Sequence, residues 1–471
     1  MSDGANAVFL SYPSQDADGA WRTCDALCAA GVEVWFDPSE RFRCAPLRGF
    51  SSRPAGARVF YPHPLLPMNR SLIALTSSLA LAAVPGFGAS ASSVPAPTLP
   101  GVAAAMQQLV DAHEMAGAVV LVTDKDRVLH LSASGMADIA AAKPMTPDTI
   151  FALASTTKLF ASVAVMMLVD EGKLKLDDPL EKYLPQFATL RTPSGQPANL
   201  TLSHMLTHTS GIGDAPREAY ASAKTLADRI AAYFPAPAMR AEPGTEFRYV
   251  GSFDTVGRVV EIVSGKTFDA FVQERIFQPL GMRDTTFFPD AAQQPRVATA
   301  YSTNRTTKEL TPQARTAFPV RGQTAPSAGG GAFSTAGDLA RFCRMLLNRG
   351  ELDGKRYLSE AAFKTLTTIR TKEGLKTGYS AGEFNDVLAW GAGPYIVRHG
   401  KPGALSSLLS PGSFGHPGAR AIHAVVDPTK GLAYVLLQQA NPPDNFENVQ
   451  TRTLVAATLA ALPPPRGTAA K

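Results

Sequence analysis

The chain has 471 residues, of which 18% are charged and 45% hydrophobic, and a formal net charge of +5. That is long enough for a large core with insertions, in the composition of an ordinary globular protein. The charge is modest and no basic run is interleaved with aromatics, which leaves a nucleic-acid partner without support.

Residues 6–37 read as strand, amphipathic helix, strand: "AVFLSY", "SQDADGAWRTCDALCAAG" and "VEVWFDP". Cys24 and Cys28 stand four apart in that helix, with no histidine or second cysteine pair to complete a zinc site. Cys44 follows, and Cys343 stands alone in the rest of the chain, so cysteine usage does not report the redox compartment. Residues 41–67 are rich in Arg, Pro and Gly and show no periodicity. From Met68, "MNRSLIALTSSLALAAVPGFGASASS" has a basic start at Arg70, an apolar core over Leu72–Val84, and small residues Ala89, Ser90 and Ala91 before Ser92. Those are the three parts of a secretory signal peptide, with a core short of the roughly 20 residues a membrane span needs. Translation from Met68 implies a periplasmic or secreted enzyme, and translation from Met1 a cytoplasmic one. An Ala/Pro-rich spacer, 92–100, leads into the main domain, 101–463, and a flexible tail, 464–471, closes the chain.

Within the domain, "VAAAMQQLVDAHEM" has helical periodicity, and "GAVVLVTDKDRVLHLSA" reads as two strands about a turn at Asp124–Asp126. At the other end "AIHAVVD" and "LAYVLLQQ" form a second hairpin, and "NVQTRTLVAATLAAL" is a closing helix. The fold class is α/β. One sheet is built from both chain ends with flanking helices, and an all-helical subdomain is inserted between them.

The chemistry centres on "FALASTTKLF". Ser155 and Lys158 stand three apart where an almost wholly apolar helix begins, and residues at that spacing share a helix face. This is the only Ser-x-x-Lys in the chain. The macrodipole disfavours a cation in the first turn and burial adds to that, so a neutral amine is available to take the serine proton.

Three longer stretches widen the pattern: "KPMTPDTIFALASTTKLFASVAVMMLVDEGKLKLDDPLEKYLP", "LTLSHMLTHTSGIG" and "GGGAFSTAGDLARFCRMLLNRGELDGKRYLS". Over roughly residues 102–460 the chain resembles the serine β-lactamase and penicillin-binding-protein superfamily, most of all class C-related enzymes and family VIII carboxylesterases. Residues 6–40 resemble the start of a TIR domain. The first resemblance implies a site between the sheet and the helical subdomain, with Ser155 acylated and Lys158 its proton acceptor. It also implies a Tyr-x-Asn element, for which Tyr249-Val250-Gly251 supplies the tyrosine and replaces the asparagine by glycine. The spacing Tyr249, Asp254, Gly257 is similar to the esterases' pattern. The third element, usually Lys-Thr-Gly, is matched by His416-Pro417-Gly418 ahead of a strand. The backbone N–H groups of Ser155 and Ala419 would form the oxyanion hole, with Gly418 and Trp390 near the substrate.

Three further motifs compete. A literal Lys376-Thr377-Gly378 lies in a polar loop with no strand after it, and Gly378-Tyr379-Ser380-Ala381-Gly382 lacks the strand and helix of a nucleophile elbow. His204 and His208 stand i,i+4 on a predicted helix, but Met205 replaces the glutamate of a zinc protease. The reading is therefore a serine hydrolase needing no cofactor or metal and acting on small carboxylic esters. A β-lactamase or D,D-peptidase is the alternative, and a non-catalytic penicillin-binding sensor or TIR-fusion signalling protein is the alternative of another class.

Overall fold

The computed structural model describes residues 98–462 except 214–221, 234–238, 250–251, 305, 314–316, 378–385 and 441–445, together with the strands Ala7–Leu10 and Glu33–Phe36. The chain divides into two units, Met1–Ala89 and Ser90–Lys471. In the first, the two strands pair in parallel, with Ala7 opposite Glu33 and Leu10 opposite Phe36. The helix read between them, its cysteines, the signal-peptide-like segment and most of the spacer lie outside the described residues.

In the second unit the main sheet has eight strands among the described residues. Their spatial order is Leu388–Trp390, Tyr395–Val397, Phe414–Gly418, Ile422–Asp427, Leu432–Gln438, Gly117–Thr123, Val128–Asp138 and Lys143–Pro144. Every neighbouring pair is antiparallel. The N-terminal hairpin thus completes a sheet begun by the C-terminal strands, as the two hydrophobic hairpins predict. Side chains alternate between the faces of a strand, and the two apolar clusters follow that alternation. Val119, Leu121, Val435 and Leu437 join Leu339, Phe342 and Cys343 of the Ala336–Leu347 helix. Val120, Val122, Tyr434 and Leu436 instead meet Val102 and Met106 of the first helix and Leu454 and Val455 of the last. Helices on both faces explain why these strands read as continuous apolar runs.

The helical insertion is organised around Lys158–Asp170, buried from Lys158 to Leu168. Phe160 on that helix meets Phe277 and Phe342 edge to face, at centroid distances of 4.9 and 4.8 Å. One buried helix therefore joins the insertion to the layer beneath the sheet. Among the described residues no helix is long and apolar enough to cross a membrane.

The sheet carries a buried polar tie. The Tyr395 hydroxyl is hydrogen-bonded to His423 Nε2 at 2.9 Å, and His423 Nδ1 to Thr451 Oγ1 at 3.3 Å. Burial lowers the pKa of His423 to about 3. Burial also holds His208 and His416 well below the ordinary histidine range. The unfolded chain then binds more protons than the folded one below about pH 6.5, so stability falls as pH drops. For His423 the cost is about 1.4 kcal/mol per pH unit, or roughly 2 kcal/mol at pH 5. Urea denaturation at pH 7.5 and pH 5 should show a lower midpoint at pH 5, and His423→Gln should shrink the difference. Equal midpoints at both pH values would refute the neutral buried histidines.

Candidate active site

Ser155 lies in a 3-10 turn, Ala154–Thr157, that runs directly into the Lys158–Asp170 helix. The serine therefore precedes the α-helix by one tight turn, whereas the sequence places it at the helix start. Ala154 explains the difference: its φ of 46° is left-handed, which a regular helix does not admit. The turn is held from both sides. Leu153 N donates to Ala332 O at 2.8 Å, and Ala332 N donates to Thr157 Oγ1 at 3.1 Å.

Lys158 is 4% exposed. Its Nζ donates to the Gly329 carbonyl at 2.7 Å and is hydrogen-bonded to Ser155 Oγ at 3.1 Å. The serine hydroxyl and the lysine amine are thus within hydrogen-bond reach of each other, and the Gly329 carbonyl fixes the amine from its other side.

The Gly329 carbonyl is itself positioned. Asp254 Oδ1 accepts from Gly329 N and from Ser327 Oγ, each at 3.1 Å, while Asp254 Oδ2 accepts from Arg229 Nη1 at 2.8 Å. Asp254 is fully buried and Arg229 nearly so. Two helix residues thus fix a loop that fixes the lysine. Gly257, one turn after Asp254, has a spatial reason: a Cβ there would lie 2.6 Å from Ala328 Cβ and 2.9 Å from Leu226 Cδ1. The helix packs directly on the same loop.

The strand Phe414–Gly418 contains His416, Pro417 and Gly418, which sequence reading places just ahead of a strand. Its end abuts the Ser155 turn. Thr156 Oγ1 donates to His416 O at 3.2 Å, and a Cβ on Gly418 would lie 2.4 Å from Leu153 O. Only glycine permits that approach. Beyond it Arg420 and Ala421 are both left-handed, with φ of 66° and 55°. Each such non-glycine residue costs about 1–3 kcal/mol, and such strain clusters at functional sites.

Tyr249 presents its ring to the lysine, with Nζ 4.9 Å from the ring centroid, and Phe253 does the same at 5.5 Å. Behind Tyr249 stand His208 at 4.4 Å, His416 at 6.1 Å and Trp390 at 6.3 Å between ring centroids. Trp390 is 2% exposed and stacks on Phe247, so it forms the wall behind the site and not its open surface. His416 is equally buried. Its Nδ1 donates to Pro417 O at 2.6 Å, while Nε2 has no partner among the described residues. Burial is the main cause of its lowered pKa, and the Lys158 charge adds to it.

The competing motifs do not converge here. The helix bearing His204 ends at Leu206, and His208 lies beyond it with a left-handed φ of 57°. The i,i+4 histidine pair of the sequence is thus broken by the turn. His204 Nδ1 accepts from Thr201 N as part of a helix cap, whereas His208 faces the aromatic wall. Among the described residues no cluster of three or more His, Cys, Asp or Glu side chains suits a metal ion. Lys376-Thr377, expected in loop, forms a two-residue strand parallel to Glu246–Phe247. Its pairing partner is 130 positions away by chain number, so no local pattern announces it. Gly378, Ser380 and Gly251 lie outside the described residues. Sequence reasoning missed Arg229, Ser327 and Thr156. The Gly329-Gly330-Gly331 run was the available signal for the loop, and Arg229 had none.

A Beta-lactamase family profile matches residues 102–458. Protein Rv1367c of Mycobacterium tuberculosis is 32% identical over 383 residues, which is 73% of this chain and 90% of that protein. Esterase EstB of Burkholderia gladioli is 35% identical over 212 residues, 42% of this chain and 53% of EstB. Among solved structures, a family VIII carboxylesterase superposes with a TM-score of 0.65 at 21% identity, covering 78% of this chain and 99% of that one. The chain belongs to the β-lactamase family, whose members are serine hydrolases.

The buried Arg229–Asp254 pair yields a direct test. Removing one partner of such a pair costs about 3–5 kcal/mol, because the other charge is left uncompensated. Asp254→Asn should therefore lower the urea midpoint sharply and reduce hydrolytic turnover in whatever folds. Wild-type stability together with wild-type turnover would contradict the positioning chain.

Proposed function

We propose that this enzyme hydrolyses small carboxylic esters through an acyl-enzyme on Ser155. The observation that carries the reading is the Lys158 amine held between Ser155 Oγ and the Gly329 carbonyl. As Oγ attacks the ester carbonyl, Lys158 takes its proton, and the oxyanion is received by the N–H groups of Ser155 and Ala419. Collapse breaks the C–O bond to the alcohol, and the proton returns to the departing alkoxide, with the Tyr249 phenol sharing the relay. Water then attacks the acyl group, Lys158 accepts its proton, and the released carboxylic acid leaves Ser155 protonated again. His416, buried and neutral, acts by holding Tyr249 and keeps a second cation away from the lysine. Gly418 gives the strand edge its close approach, and Trp390 backs the wall.

One observation favours esters over β-lactams or peptides: Gly251 stands where the superfamily pattern has an asparagine amide. The complete set of Ser155, Lys158 and Tyr249 disfavours a non-catalytic sensor. The signal-like segment 68–91 supports export.

The test is a substrate panel: short-chain nitrophenyl esters, a chromogenic cephalosporin and a D-Ala-D-Ala peptide. Ester kcat/KM should exceed the others by orders of magnitude, and a comparable or reversed ranking would move the reading to a β-lactamase or peptidase. Among variants, Ser155→Ala should abolish turnover. Lys158→Ala and Tyr249→Phe should each cost about 10²–10⁴ in kcat, the usual contribution of a positioned acid or base. Ser380→Ala should leave activity within about a few-fold, as expected of a residue without a named mechanism.

A further inference from the structure

Behind the aromatic wall lies a cavity of about 370 Å³, lined by His204, Thr207, Thr209, Gly244, Arg370 and Lys372 among others. Its lining includes two fixed cations and a histidine but no aspartate or glutamate. The Arg370 backbone N–H is bonded to Trp390 O at 2.8 Å, which seats the residue against the far side of the wall. Its side chain is different: Nε is buried with no hydrogen-bond partner, and no carboxylate lies within ion-pair distance among the described residues. A buried guanidinium N–H left unpaired is costly, and Arg is the side chain best shaped to hold carboxylate or phosphate. Asp177 is the carboxylate whose charge reaches both Arg370 and His204, but it does not line the cavity.

His204 and Lys372 add donors to the same space, beside a wall braced by two threonines. His204 Nδ1 accepts from Thr201 N at 3.2 Å, so the proton of the neutral ring sits on Nε2. That nitrogen lies beside Gly244, where a Cβ would come within 3.7 Å of it. Thr207 and Thr209 are 4% and 5% exposed, and their hydroxyls are bonded to each other at 2.8 Å. Thr207 Oγ1 donates onward to Ser203 O at 2.8 Å, which fixes the direction of this chain and holds that wall in place. Lys372 is exposed at the rim.

We propose that this cavity is a second binding site, for a small oxyanion of the carboxylate or phosphate class, held by Arg370, Lys372 and His204. It is separate from Ser155, and its existence does not depend on the ester reading. The experiment is calorimetric titration of the full chain with sodium phosphate and, separately, sodium acetate, at ionic strength held constant with chloride. Saturable binding of one or both is expected, and the tighter ligand identifies the oxyanion. Arg370→Gln should weaken binding by about tenfold or more, the loss of a charge-assisted hydrogen bond. Lys372→Gln, at an exposed position that folding does not depend on, should weaken it by a few-fold. Ser155→Ala should bind like the wild type, which separates this result from any outcome for catalysis. No saturable binding of either anion, or binding unchanged in both cavity variants, would overturn the proposal.

Discussion

The site depends on one constraint: the Lys158 amine has a single direction left open. Gly329 O takes one hydrogen at 2.7 Å, Ser155 Oγ stands at 3.1 Å, and the rings of Tyr249 and Phe253 close the remaining sides. A lysine free to rotate would spend its hydrogen bonds on water. Here the flexible side chain is already immobilised, the positioning that the proposed proton transfer calls for.

That arrangement is supported by costly features. A buried ion pair, Arg229–Asp254, orients the loop that presents Gly329. Such a pair contributes little net stability compared with apolar packing, so its value lies in the geometry it specifies. Left-handed backbone at Ala154, Arg420 and Ala421 brackets the site. The stability that offsets these costs comes from the helix behind the serine, buried from Lys158 to Leu168, and from the two-faced sheet beside it. A rigid apolar body therefore carries a strained polar edge.

The legible parts of the molecule were those encoded locally. Ser155 and Lys158 are neighbours on one turn, so their spacing alone announced the pair. The hairpins 117–138 and 422–438 declared themselves by apolar runs broken at turn residues, and their shared sheet followed from strands at both chain ends with mostly helical material between. What stayed hidden was non-local. Asp254 meets Arg229 across 25 positions and Gly329 across 75, and neither separation leaves a periodic trace. His208 misled for a related reason: its spacing from His204 is helical, but the helix stops two residues earlier, at Leu206. Trp390, expected near the substrate by resemblance, lies buried in the aromatic wall, and burial is a property of the assembled wall that no local pattern announces.

The most direct measurement is the mass of the intact protein after reaction with a fluorophosphonate or a slowly deacylating ester, followed by peptide mapping. A single adduct on the peptide carrying Ser155, absent in Ser155→Ala and strongly slowed in Lys158→Ala, is the predicted result. An adduct on any other serine, or labelling of Ser155 at an undiminished rate without Lys158, would contradict the account.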